Sequence, residues 1–140
     1  MPDSSATDQQ IELQVEAMIS QLVDRFYSRV GDDAEIGPIF NNAIGNGWPE
    51  HLQRMKDFWS SIMLGTGRFK GSPMMAHLGL PVKINATHFQ RWLSLWRLTA
   101  PEICPPELAA IFITKAEMMA ERLLSGVEMH YDSVHAAGPA

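Results

Sequence analysis

Apolar residues recur at helical spacing through most of the 140-residue chain. Ile11, Val15, Ile19, Leu22, Phe26 and Val30 fall three or four apart, which predicts one long helix with a single buried face. Asp8 is its expected N-cap, and Gly31-Asp32-Asp33 is expected to end it. The stretch from Gly37 to Gly47 is rich in Gly and Asn, with a Pro, and reads as loop or short helix. Trp48-Pro49-Glu50 opens a second helix, with Pro in the first turn beside an acid. Its stripe is Trp48, His51, Met55, Phe58 or Trp59, and Ile62, and Gly65 and Gly67 end it. Ser72-Pro73 starts a short helix running to about Leu78 and closed by Gly79 and Pro81. Asn85 caps the next, whose stripe is Phe89, Trp92, Leu93 and Trp96 and which is expected to stop at Pro101. Pro105-Pro106-Glu107 opens the last, carrying Leu108, Phe112, Ala116, Met119, Leu123 and Val127. Sustained period-two alternation is absent, so the expected fold class is all-α, with four substantial helices and a short one. A plain four-helix bundle has no use for the short helix at 72–78, which therefore asks for another reason.

Length and composition change this picture in three ways. A chain of this size is expected to form one domain, over residues 11–131, with flexible tails at 1–10 and 132–140. Hydrophobic residues make up 46% and charged residues only 19%, which excludes a disordered chain and leaves apolar side chains to line an enclosed ligand. The net charge of −5, with 11 Lys and Arg scattered along the chain, argues against nucleic acid or an anionic membrane surface as partner. No apolar run is long enough to span a bilayer and the first residues lack a signal-peptide pattern, so the expected location is the cytoplasm. A single cysteine, Cys104, excludes an intrachain disulfide and the Cys-x-x-Cys-His pattern of covalent heme attachment.

The informative positions are polar groups on otherwise apolar faces. His51 shares a face with Met55, Phe58 and Ile62. Tyr27 lies in line with Val23 and Val30, His77 ends the short helix among methionines and leucines, and Trp92 carries an indole N–H on an apolar stripe. Singly, each is more often a packing residue than a ligand. His-Glu-x-x-His, Gly-x-Ser-x-Gly and glycine-rich phosphate loops do not occur. Together, one His on a short helix opposed by helices bearing Tyr, His and Trp suits a metal macrocycle in an apolar slot.

Several separated segments then share one pattern: Phe26-Tyr27-x-x-Val30, Ile36-Gly37-Pro38-Ile39-Phe40-Asn41-Asn42-Ala43-Ile44-Gly45, Trp48-x-x-His51, Phe58-Trp59, Leu64-Gly65-x-Gly67, Gly71-x-Pro73-x-x-x-His77-Leu78-x-Leu80-Pro81 and Trp92-Leu93-x-Leu95. In these, between about Ile11 and Leu124, the chain resembles the truncated hemoglobins, the two-over-two α-helical globins, and within them group III. It also lacks the glycine pairs that mark the first two groups. The resemblance implies heme b, held non-covalently, with His77 as the proximal iron ligand. It implies Tyr27 and Trp92 as distal donors to a bound diatomic ligand, and His51 as the distal histidine that gates the pocket or binds iron itself. Phe40 corresponds to the phenylalanine packed on the heme face. Met55 stands where an aliphatic distal residue is common, and Trp59 and Phe89 are expected to line the pocket. Arg54, Arg68, Lys70 and Lys83 are the cations available to heme propionates.

The function so implied is reversible binding of O₂, CO or NO. Two donors in a dry pocket hold such a ligand firmly, which suits chemistry or sensing better than bulk transport. The alternative is NO dioxygenase or peroxidase-like detoxification on the same scaffold. Without a nicotinamide or flavin motif in the chain, either enzyme would draw electrons from an external reductase. Monomer and dimer both remain open, and a helical interaction module without cofactor is the third reading.

Overall fold

The computed structural model describes residues 4–78 and 84–136, and side chains for 7–130 apart from Met74, Met75, Leu78 and 79–83. Six α-helices follow one another: α1 (Ser4–Asp32), α2 (Gly37–Ile44), α3 (Trp48–Leu64), α4 (Pro73–Leu78), α5 (Ala86–Ile103) and α6 (Pro106–Ala136). No strand occurs among the described residues, and the all-α expectation holds. The long helices contact one another as α1 with α3, α5 with α6, and α1 with α5. The short ones pack as α2 on α1 and α4 on α6.

The helix boundaries differ from expectation in four places. α1 begins at Ser4 rather than after Asp8, and α6 continues to Ala136, so helix runs into both expected tails. No Gly or Pro between Ser4 and Gln10 interrupts the first extension. The buried stripe of α1 nevertheless starts only at Val15, since Ile11 is half exposed. α5 runs through Pro101 to Ile103. The proline forfeits one backbone bond, yet the Cys104 N–H still reaches the Ala100 carbonyl at 2.9 Å and completes the turn. The ambiguous stretch after Gly37 is a true helix, α2. Gly79 and Pro81, expected to close α4, lie outside the described residues.

Aromatic rings hold the long helices together. Trp96, fully buried on α5, stacks on Trp59 of α3 at 4.6 Å and 14° and lies parallel to Trp92 at 5.9 Å and 2°. Its indole N–H donates to the Phe112 carbonyl of α6 at 3.1 Å, so the burial leaves no orphan donor. Phe26 of α1 meets Trp96 edge-on at 4.8 Å, and Tyr27 and Trp92 at 4.8 and 5.3 Å. Around them Ile19, Leu22, Val23, Val30 and Ala116 are buried to the last atom or nearly so.

Two polar clusters position the connections. At the α1–α2 turn the Asp33 carboxylate accepts the backbone N–H groups of Glu35 and Ile36, each at 3.0 Å. Its other oxygen takes Nε and Nη2 of Arg91 on α5 at 2.7 and 2.6 Å. Gly37 follows, where a Cβ would sit 2.8 Å from the Gly31 carbonyl oxygen, so only glycine lets α2 start this close to the end of α1. At the α3–α4 connection Ser60 donates to Glu16 at 2.7 Å and shares a 2.9 Å bond with Thr66, while Arg68 reaches the same Glu16 oxygen at 2.8 Å. The Phe69 N–H donates to the Ser61 hydroxyl at 2.9 Å. These bonds pin the segment that leads into α4, a helix too short to stand without neighbours.

The Asp33 cluster makes a prediction. The Arg91 guanidinium, together with the backbone donors at Glu35 and Ile36, holds the Asp33 carboxyl below its ordinary range. Its stabilisation is therefore complete above the unfolded carboxylate pKa and is lost as pH falls through the lower folded value. Asp33→Ala should cost about 2 kcal/mol at neutral pH in denaturant unfolding. The gap from the native chain should close below about pH 4. A gap that persists unchanged in acid would contradict this account.

Candidate functional site

The polar groups singled out on the apolar faces come together in two sets. The first lies between α1, α3 and α5. Tyr27 is 5% exposed, in the last two turns of α1. The His51 ring of α3 stands edge-on to it at 4.9 Å and 89°. The Trp92 indole lies close enough to the phenol to offset a little of what burial does to it. Burial nonetheless pushes the phenol well above its ordinary pKa, so Tyr27 keeps its proton at all working pH values.

His51 is the least satisfied member. Its Nε2 is buried without a hydrogen-bond partner. Burial, with a smaller contribution from the nearby Arg54 charge, pushes the imidazole down to about 4, so it is neutral near pH 7. A buried polar atom left unpaired costs about 1 to 3 kcal/mol, and such a cost marks a place made for something else to bind.

The second set surrounds His77 on α4. Its Nδ1 lies 2.6 Å from the Pro73 carbonyl oxygen, one turn back. A carbonyl only accepts, so Nδ1 carries the proton and the lone pair resides on Nε2. That is the tautomer a metal ligand needs, with the backbone acting as orienting partner. Phe89 of α5 stacks on the imidazole at 5.9 Å and 26°. Phe89 and Trp92 are three residues apart on α5, so one turn of this helix serves both sets. Asn85 and His88 form a reciprocal capping box that fixes where this turn begins, at 3.0 and 3.2 Å.

Of the remaining candidates, Phe40 on α2 approaches Tyr27 at 6.0 Å, and Met55, one turn beyond His51, packs half-buried against the main core. Trp59 is placed differently. It is 1% exposed, stacked on Trp96 and set against Phe58 and Phe112, which makes it a core ring one indole removed from Trp92. Among the cations, Arg68 is engaged with Glu16, Arg54 and Lys70 are exposed, and Lys83 lies outside the described residues. Trp48, which opens α3 and heads its apolar stripe, joins the first set as well. The structure sets it edge-on to His51 at 5.6 Å and tilted against Tyr27 at 6.1 Å. The i, i+3 spacing of Trp48 and His51 was the available signal.

Residues 12–121 match the family model described as bacterial-like globin. The chain belongs to the bacterial-like globins. A group 3 truncated hemoglobin of Campylobacter jejuni is 35% identical to it over 105 residues, spanning 73% of this chain and 82% of that protein. The crystal structure of the group III truncated hemoglobin from Campylobacter jejuni matches this globin with a TM-score of 0.76 at 32% identity, over 80% of this chain and 90% of that one. The fold is thus that of a truncated globin, and heme-based ligand binding comes with the family. The chemistry of the two polar sets fits heme: an imidazole oriented through its Nδ1 on one, and a buried imidazole nitrogen without a partner on the other. No helix among the described residues is long and apolar enough to cross a membrane.

The depressed His51 value makes a stability prediction. Between the ordinary imidazole value of 6.5 and about 4, the unfolded chain binds a proton that folded His51 refuses. Its contribution is therefore intact above pH 6.5 and falls away as pH drops toward 4. His51→Gln should lose less stability than the native chain across that window in denaturant titrations. Parallel losses would contradict the assignment.

Proposed function

We propose that this globin holds heme b non-covalently through His77 Nε2 and reversibly binds the neutral diatomics O₂, CO and NO in a pocket shaped by Tyr27, His51 and Trp92. The observation that carries the reading is the gathering of three hydrogen-bonding groups, one of them an unpartnered buried nitrogen, inside an otherwise apolar core. When bound, heme would supply an iron able to take a diatomic ligand. The sole cysteine, Cys104, is buried at the end of α5, which supports non-covalent attachment.

The chain's own groups then divide the work. The Pro73 carbonyl keeps His77 in the tautomer whose Nε2 can bind metal, and Phe89 holds the ring plane. Tyr27 and Trp92 would each offer a donor, the phenol O–H and the indole N–H, to a ligand that gathers negative charge. Neutral His51 offers Nε2 as a second contact. Phe40 and Met55 exclude water, so each hydrogen bond acts at low dielectric.

Two outcomes are expected. Protein reconstituted with hemin should show a Soret band that shifts on reduction and CO addition, and His77→Gly should lose it; an unchanged spectrum in that variant removes His77 from the iron. Tyr27→Phe should raise the O₂ dissociation rate about tenfold, the weight of one donor of about 1 to 1.5 kcal/mol. A rate that does not rise would hand the donor role to Trp92 or His51.

A further inference from the structure

Beside Tyr27 the surface opens into a cleft of about 410 Å³ whose lining includes Tyr27, Ser28, Gly31, Asn41, Trp48 and Leu52. It lies where the end of α1, α2 and the start of α3 converge; the buried Tyr27 is among its lining residues, and Asp24 and Asp32 add two carboxylates to it. Trp48 stands between this cleft and His51, edge-on to the imidazole. One bridge holds it there. The Trp48 Nε1–H donates to Asn41 Oδ1 at 3.2 Å, and Asn41 Nδ2 donates to the Gly31 carbonyl oxygen at 3.1 Å. The amide uses its acceptor toward α3 and its donors toward α1, so both bonds fix one orientation. Both are exposed, whereas the imidazole nitrogen they help enclose is buried and unpaired.

We propose that Trp48, pinned by Asn41, is a positioning residue that keeps His51 turned inward and closes the cleft as the route by which diatomic ligands reach the site. This rests on the proposed ligand binding and adds what governs access to it. The buried nitrogen of the imidazole does not anchor His51, because Nε2 has no partner. Its inward position depends on the rings on either side, Tyr27 and Trp48. Tyr27 is locked in the core. Trp48 is half-buried and tied only through a side-chain amide, so it is the wall that can yield. When the Trp48–Asn41 bond opens, the indole can swing, the imidazole follows, and the cleft joins the space around the phenol.

The test breaks the bridge from both ends. Asn41→Ala removes the acceptor at an exposed position, and Trp48→Phe removes the N–H while keeping a ring. In hemin-reconstituted, reduced protein, CO association after flash photolysis should quicken about fivefold in each, the shift expected from one lost neutral hydrogen bond. The double variant should be no faster than either single one, because all three remove the same bond. Carbethoxylation of His51 by diethylpyrocarbonate, mapped by mass spectrometry, should quicken in parallel. Unchanged CO association in variants that still form the CO adduct overturns the proposal, whatever the labelling shows. Additive effects in the double variant overturn it as well. Failure of the native chain to form a CO adduct would instead overturn the proposed function beneath it.

Discussion

The Trp96 indole touches every long helix: Phe26 on α1, Trp59 on α3, Trp92 on its own helix and Phe112 on α6. Its N–H, spent on the Phe112 carbonyl, sets how α5 sits on α6. The crossing of the helix pairs is therefore decided by one large, polar-tipped ring with few ways to pack. Everything at the site is referred to it. Trp92 lies parallel to Trp96 one turn earlier, and Phe26, edge-on to both, places Tyr27 as the next residue of α1.

The polar groups of the site stand against this background as departures from it. A phenol held far above its ordinary pKa and an imidazole held far below are both consequences of withdrawing ionisable groups from water. A core built for stability alone would place leucine there. The two polar sets also differ in rigidity. Tyr27 and Trp92 sit on long helices, whereas His77 sits on a helix of six residues. The short element that has no place in a simple bundle brings an imidazole, with its tautomer fixed by its own backbone, to the end of Phe89.

Much of this was legible in the residues. The 3.6-residue recurrence located the long helices, and Pro after a small polar residue located α4. Asn85 announced the start of α5, and the candidate residues Tyr27, His51 and Trp92 do converge. What escaped were features decided by packing. Pro101 was read as a stop because propensity ignores that one lost bond can be carried by the bonds around it. Helix also continues past the fading apolar pattern at both ends, since exposed helix needs no such pattern to continue from a packed one. Trp59, which the resemblance places along the pocket, packs on Trp96, and only the rotation of α3 decides that. Asn41 and Trp48 meet only because the Asp33 turn and Gly37 fold α2 back against α1.

The tether between α1 and the α3–α4 connection has a consequence of its own. Arg68 is 54% exposed where it meets Glu16, and this pair with Ser60 secures the segment before α4. Attraction between partly exposed charges weakens as dissolved ions accumulate around them, while hydrogen bonds within a buried aromatic core are largely indifferent to them. Ionic strength therefore reaches this molecule through the joints between its helices rather than through its core. It weakens the tether before α4, as it does the Lys56–Asp24 pair between α3 and α1 and the Arg91–Asp33 pair between α5 and the α1–α2 turn, while the stacked rings keep their packing.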